Sequence, residues 1–290
     1  MNSRKLNKIK KFEILDLIRA ALQEDLGGYG DISSKYLIPQ EHKSSAFILC
    51  KEKEETVLSG IDVAGFIFDE IDSAISYEKI FEDGQVVKYP DIVCHVTGPS
   101  QSLLAGERTC LNFLQHLSGV ATFTAKFAAI ASKYNVKVTD TRKTKPGLRK
   151  LEKYAVRCGG GFNHRFGLFD GVMLKDNHIA AAGGIKNALK SVRNNIPHGV
   201  KIEVEVKNFV ELDDAIESSA DIVMLDNMGP EDIKKAVKII RDRAKSTIIE
   251  ASGGINICNF EDYCKTGVDL ISAGCLTHSA PAADFSMEFE

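Results

Sequence analysis

From about residue 135 to residue 272 the chain repeats one pattern, a short apolar run ending on polar residues and then a helix-like segment. The runs read VKVTD, GVMLKD, KIEVEV, DIVMLD, TIIEA and VDLIS. Helices are predicted between them at 147–158, 183–194, 209–219, 230–243 and 258–265. Two parallel strands need a crossover between them, so strict strand–helix alternation implies a parallel sheet. Runs that are apolar on both faces imply cover on both sides of that sheet. A β/α barrel fits best, incomplete because only six strands are clear, and an open doubly wound sheet is the alternative.

The first part of the chain reads differently. Ile14, Ile18, Leu22 and Leu26 form one helical stripe, which GGYGDISS interrupts. SAFILCK, ETVLSG, GQVVKY and DIVCHVTG are short strand-like runs bounded by turn residues. The segment GERTCLNFLQHLSGVATFTAKFAAIASKY is helical, with a break expected at Gly119. A length of 290 residues suits one large α/β domain plus a smaller one.

Asp16, Arg19 and Glu24 interrupt the apolar residues that follow the basic N-terminus, so no signal peptide is expected. No run of roughly twenty apolar residues is present to span a bilayer. The seven cysteines are scattered and never spaced C-x-x-C, which excludes a zinc ribbon and suits reduced thiols. A soluble, cytoplasmic protein is expected.

With a net charge of −3, wholesale nucleic-acid binding is excluded, and any cationic site must be local. In barrels the chemistry sits at the C-terminal ends of the strands. Here those ends carry Asp140-Thr141-Arg142-Lys143, Lys175-Asp176, Glu203 and Glu205, Asp226-Asn227, Glu250 and Ser252, and Ser272 with Gly274. One such residue would be a capped ion pair. So many on one rim indicate a site, because unpaired buried ions are costly. Arg142, Lys143, His164, Arg165 and Lys175 can hold anions. Glu205 and Asp226 suit sugar hydroxyls or a magnesium ion, which favours few carboxylates plus water and substrate oxygens.

EASGGIN and ISAGCL each follow a strand and open a helix, where backbone N–H groups can cradle a phosphate. Either alone reads as a tight turn, but the pair at the last two strands favours phosphate. In the predicted helix 147–158, Leu148, Leu151 and Ala155 share one face. Lys150, Lys153 and Arg157 oppose them with Arg149 at the flank, which reads as a solvated face. Gly159, Gly160 and Gly161 permit positive φ and close backbone approach. They let Arg142 and Lys143 meet His164 and Arg165. His116 and His178 read as structural. Neither H-E-x-x-H nor G-x-x-x-x-G-K occurs, so zincin and Walker chemistry have no support.

DTRKTKPGLRKLEKYAVRCGGGFNHRFGLFDGVMLKDNHI, with ERTCLNFLQHLSGVAT before it and ASGGIN after it, resembles the quinolinate phosphoribosyltransferases of NAD synthesis. The likeness runs from EDLGGYGDISS to HSAPAADFS. It implies an N-terminal α/β sandwich, 1–118, completed by 276–290, and a seven-stranded β/α barrel, 119–275. It implies magnesium-dependent transfer of phosphoribosyl from phosphoribosyl pyrophosphate to quinolinate, with decarboxylation. It also implies a homodimer, with a hexamer left open, in which Arg108 reaches the neighbouring subunit's site.

Carried over by position, Arg142, His164, Arg165 and Lys175 would bind quinolinate, and Lys143 would lie near pyrophosphate. Glu205 and Asp226 would contact ribose and magnesium, directly or through substrate and water. Ser252, Gly253, Gly254 and Gly274 would hold the 5′-phosphate, with Thr141 and Ser272 completing the substrate site. Lys143, Lys175, Glu205 and Asp226 are the catalytic candidates. LGGYGD is slightly longer than the family's usual turn, and Lys145 stands where the family often has Thr. Three other readings stay open: a paralogue of the same fold associated with molybdenum transport genes, a Schiff-base lyase using Lys175, and an RNA-binding protein using the basic helix.

Overall fold

The computed structural model describes residues 6–290, and Met1–Lys5, at the start of the basic N-terminus, lie outside the described residues. The strands in chain order are β1 (Lys43–Cys50), β2 (Thr56–Val57), β3 (Ser76–Lys79), β4 (Val86–Val87), β5 (Ile92–Pro99), β6 (Lys137–Thr139), β7 (Val172–Leu174), β8 (Ile202–Val206), β9 (Ile222–Asp226), β10 (Ile248–Ser252), β11 (Leu270–Ser272) and β12 (Phe285–Phe289). The chain divides into two compact units. The first holds the described residues up to Ala125 with Lys145–Gly160 and Ala280–Glu290, and the second holds Lys126–Thr144 and Gly161–Ser279. The expected boundary at 118/119 falls inside one continuous helix, Ser100–Ser132.

In the first unit an antiparallel sheet runs β12-β1-β5-β3. Strand β1 turns Ala46, Ile48 and Cys50 into the core at the strand's period of two. The helix Ile61–Ile71 buries Ile61, Val63, Ala64, Ile67 and Phe68. The N-terminal stripe is real, with Ile18 and Leu22 buried on the helix Leu15–Leu26. Strand β3, SYEK, has no apolar alternation and escapes a sequence reading. It forms because β5 offers it a paired edge.

Gly119 does not break its helix. A Cβ there would lie 2.0 Å from the Pro281 carbonyl oxygen, so the glycine admits the tail rather than ending a turn. The helix at 147–158 begins at Arg149, and of the expected solvated face Lys150 and Arg157 are partly exposed while Lys153 is not. Lys153 is 4% exposed, and Glu152 is fully buried. Glu152 accepts hydrogen bonds from the Lys145 N–H at 3.1 Å and pairs with His116 Nε2 at 2.8 Å. Lys150 pairs with Glu13 at 2.7 Å. Burial of Lys153 and pairing of Lys150 break the continuous cationic surface an RNA reading requires.

The second unit contains all six sequence-predicted strands in one parallel sheet, ordered β6-β11-β10-β9-β8-β7. Phe162 bridges Thr139 in parallel on the free side of β6, a single-residue remnant of a seventh strand. Val204, Val223, Leu225, Ile249 and Ala251 are buried on one side of the sheet. The helices Phe209–Glu217 and Pro230–Arg243 bury Leu212, Ala215, Ile233, Ala236 and Ile240. Residues from all six strands or their C-terminal ends line one cavity, so the sheet curls into an incomplete barrel. The predicted segment 183–194 starts as a helix at Ile185, and Asp176–Ala181 forms a separate short one. No helix of the described residues is long and apolar enough to cross a membrane.

Candidate active site

Strand periodicity sets which side chains reach the barrel interior. Glu203 and Glu205 share one face of β8, Met224 and Asp226 one face of β9, Glu250 and Ser252 one face of β10. They stack in two layers, the upper opening on a rim cavity of about 570 Å³. That cavity is lined by Thr141, Arg142, Lys143, His164, Arg165, Lys175, Glu205, Asp226, Ser252, Gly253, Gly254 and Ser272. Gly274 and Arg108 do not line it. Arg108 lies exposed on the helix Ser100–Ser132 in the first unit.

On the rim, Lys175 Nζ donates to Glu205 Oε1 at 2.6 Å. The backbone N–H of Lys175 donates to His178 Nδ1 at 3.1 Å, which gives His178 its structural role. Asp226 Oδ2 accepts from Asn227 Nδ2 at 2.8 Å. Asn227 adopts φ 57°, and its N–H donates to the Ser252 carbonyl at 2.9 Å. This locks the β9 loop onto the β10 loop so closely that a Cβ at Gly253 would meet Asn227 Oδ1 at 2.3 Å. Gly253 and Gly254 both have positive φ, 97° and 62°.

These glycines do not sit at a helix N-terminus, because the next helix starts only at Phe260. Asn256 and Asn259 close the intervening turn, with Asn259 Oδ1 accepting the Asn256 N–H at 2.8 Å. Any anion held there would rest on a concave turn of backbone N–H groups. After β11, Thr277 Oγ1 donates to the Lys143 carbonyl at 2.7 Å, and a Cβ at Gly274 would touch Lys143 Cδ at 3.0 Å. Thr141 Oγ1 accepts the Lys143 N–H at 3.0 Å, so both neighbours fix Lys143.

The cationic side depends on a buried acid. Asp140 is fully buried at the end of β6. Its carboxylate accepts from Asn163 Nδ2 at 2.6 Å and from the His164 N–H at 3.0 Å. Arg165 then donates from Nη1 to the Gly171 carbonyl at 3.0 Å and points Nη2 at Met173 Sδ, 3.6 Å away. Burial, and then the positive charge of Arg142, hold its guanidinium below the usual arginine range. Two like charges kept near each other are a prepared anion site. The triple glycine contributes through two different properties. Gly160 takes φ 84°, and Gly159 admits the Ala121 carbonyl, which a Cβ would meet at 2.2 Å.

Below the rim, His164 Nε2 stands 3.2 Å from Glu203 Oε2 and 3.6 Å from Glu250 Oε1. The trio has the spacing of a metal site among the described residues. Its protonation argues otherwise. His164 Nδ1 accepts the Arg165 N–H at 2.7 Å, so the ring proton belongs on Nε2, the atom a metal would need bare. Nε2–H therefore faces two carboxylates. Burial, followed by the charge of Glu203, pushes Glu250 up to about 7. A second cavity of about 890 Å³ opens at the opposite mouth, among Lys137, Lys201, Ile222, Ile248 and Asp269. His164 and Arg165 line both cavities and so form the floor between them.

Sequence reasoning named Asp140, Glu203 and Glu250 as strand-end residues but gave them no task. An acid at the end of an apolar strand was the available signal. Its partners, over twenty residues away for Asp140, were not visible.

Residues 31–118 match the N-terminal domain model of quinolinate phosphoribosyl transferase, and residues 120–288 match the C-terminal domain model. The probable nicotinate-nucleotide pyrophosphorylase [carboxylating] of Methanocaldococcus jannaschii is 44% identical, over 94% of this chain and 96% of that protein. Among solved structures, NadC from Streptococcus pyogenes superposes with a TM-score of 0.91 at 40% identity, covering 97% of this chain and 98% of that one. The nicotinate-nucleotide pyrophosphorylase from Francisella tularensis does so with 0.91 at 41% identity over the whole of both chains. With both domain models matched in order along one chain, and with the barrel fold shared throughout, the chain belongs to the quinolinate phosphoribosyltransferase family.

Proposed function

We propose that the chain transfers phosphoribosyl from phosphoribosyl pyrophosphate to quinolinate and decarboxylates the product, giving nicotinate mononucleotide, pyrophosphate and carbon dioxide for NAD synthesis. One observation carries this reading. Arg142, Lys143, Arg165 and Lys175 meet Glu205, Asp226 and the Ser252–Gly254 turn on a single barrel rim. Both substrates are polyanions, and the rim supplies the opposite charge. Each guanidinium–carboxylate pair at close range supplies roughly 4 kcal/mol of Coulomb energy at intermediate dielectric, before desolvation. Planar Arg142 and Arg165 suit the two ring carboxylates, with Lys175 and His164 beside them. Lys143 acts as a point charge on pyrophosphate.

The reaction follows from this placement. The pyridine nitrogen lone pair attacks C1 of the ribose as the C1–oxygen bond to pyrophosphate breaks, and Lys143 offsets the leaving charge. Glu205 and Asp226 hold the ribose hydroxyls and steady the cationic sugar. The C2–carboxylate bond then breaks, its electron pair stays on C2 beside the new pyridinium nitrogen, and carbon dioxide leaves. A proton from Lys143, Lys175 or water takes that pair. Orientation and electrostatics provide most of the acceleration.

Magnesium suits the donor set. Glu205 and Asp226 provide two rim carboxylates without a closed protein cage, the arrangement magnesium shares with substrate phosphates. When bound it would neutralise pyrophosphate charge. A homodimer would bring Arg108 to the neighbouring rim, and mixing Arg108→Ala with Arg142→Ala subunits should then restore activity through hybrid dimers. A cytoplasmic setting suits seven unpaired cysteines, five of them buried.

Lys175 is ion-paired and 42% exposed, so it lacks the apolar pocket that activates a Schiff-base amine. Incubating the protein with magnesium, quinolinate and phosphoribosyl pyrophosphate should yield nicotinate mononucleotide and carbon dioxide. Absence of both products, or equal turnover of nicotinate, counts against the reading.

A further inference from the structure

We propose that Asp140 is a positioning residue, a buried clamp that sets the spacing of Arg142 and Arg165 and thereby the fit of the dicarboxylate substrate. This rests on the quinolinate reading of the rim. Arg142 follows Asp140 by two residues, whereas Arg165 lies on a loop that reaches the same place only after a helix and three glycines. Links that join the two segments include the Phe162 N–H to the Val138 carbonyl at 2.9 Å, the Asp140 N–H to the Phe162 carbonyl at 3.2 Å, and, third, the Asp140 carboxylate to Asn163 and His164.

The first two links are backbone bonds that any residue can make. The third needs an acceptor with two oxygens, aimed at a side-chain amide and a backbone N–H in adjacent residues. No rotamer of a neutral amide at 140 presents two acceptors. At Arg165 the charges of Glu203, Asp170 and Glu205 oppose the repulsion from Arg142, so the part left to Asp140 is to position the loop. The rim's opposite side, Glu205, Asp226 and the glycine turn, hangs from other strands and does not depend on this link.

The clamp therefore predicts a split between substrates. In Asp140→Asn the new amide opposes the Asn163 amide. KM for quinolinate should rise about tenfold or more, with KM for phosphoribosyl pyrophosphate within about twofold of wild type. The exchanged pair, Asp140→Asn with Asn163→Asp, restores a donor facing an acceptor and keeps the negative charge. It should recover most of the lost quinolinate affinity. Hydrogen exchange at the His164 amide should quicken in the single variant and slow again in the pair. Equal losses for both substrates, or an exchanged pair no better than Asp140→Asn, would overturn the clamp. An inactive wild type would instead overturn the quinolinate reading, and the exchange rates at His164 would still decide the clamp. Should Asp140→Asn fail to fold, Asn163→Ala removes the side-chain link alone, and an unchanged KM for quinolinate there would also sink the proposal.

Discussion

Glu203 and Glu205 sit two residues apart on the same strand and face the same barrel interior, yet they have opposite surroundings. Glu205 opens on the rim and pairs with a half-exposed lysine. Glu203 lies one layer down, 4% exposed, with Oε2 3.2 Å from the His164 imidazole, and Glu250 stands farther off at 3.6 Å. Glu203 Oε1 and Glu250 Oε1 have no hydrogen-bond partner among the described residues. The partner is the difference: a lysine 42% exposed above, an imidazole 12% exposed below. The upper layer can exchange its partners for a substrate, so its charges are available for chemistry. The lower layer faces His164 away from the rim, so its charges act on the loop that carries Arg165.

Separating the layers should be easy by mutation. The largest effect is expected from Arg142→Ala, which should cut kcat/KM for quinolinate by about 100-fold, or ~3 kcal/mol, with little change in thermal midpoint. Normal quinolinate binding by this variant would remove the upper layer's assigned role. Asp226→Asn should lower turnover by roughly tenfold and flatten its response to magnesium, and a magnesium titration identical to wild type would count against it. In the lower layer, Glu203→Ala should cost about 1–3 kcal/mol in urea unfolding, because the buried His164 imidazole loses its nearest carboxylate.

The smallest effect is a slope. Glu250 has its folded pKa raised from 4.5 to about 7, so the folded state retains a proton that the unfolded chain releases. Its contribution to stability is complete below pH 4.5 and is lost as pH rises through 7. Glu250→Gln should remove that decline between the two pH values. Parallel curves for variant and wild type would show that the lower layer does not hold the proton.

The parallel sheet was legible in the sequence because its strands are apolar on both faces and end on charge. KIEVEV even places both glutamates on one face by counting. The rim residues were legible because their types and order match a family pattern. Three features were not. Lys153 looked solvated because a helical wheel records the helix's own faces and not the neighbours that enclose them. Gly119 looked like a break because glycine marks both chain breaks and close approaches, and only the Pro281 carbonyl distinguishes them. Asp140 looked like one more rim charge because its partners come from a loop 23 and 24 residues away.

The antiparallel sheet of the first unit has a consequence for the order of synthesis. Its edge strand β12 pairs Phe285–Phe289 with residues 46–50, and Gly119 receives Pro281. Domains generally fold as units while the ribosome is still adding residues. Here the antiparallel sheet cannot close until residues 285–289 are free to pair with residues 46–50. Residues 161–279 of the barrel unit leave the ribosome before residues 285–289 do. The sheet that begins with β1 is thus completed after the barrel strands are made, and until then β1 presents an unpaired edge to its surroundings.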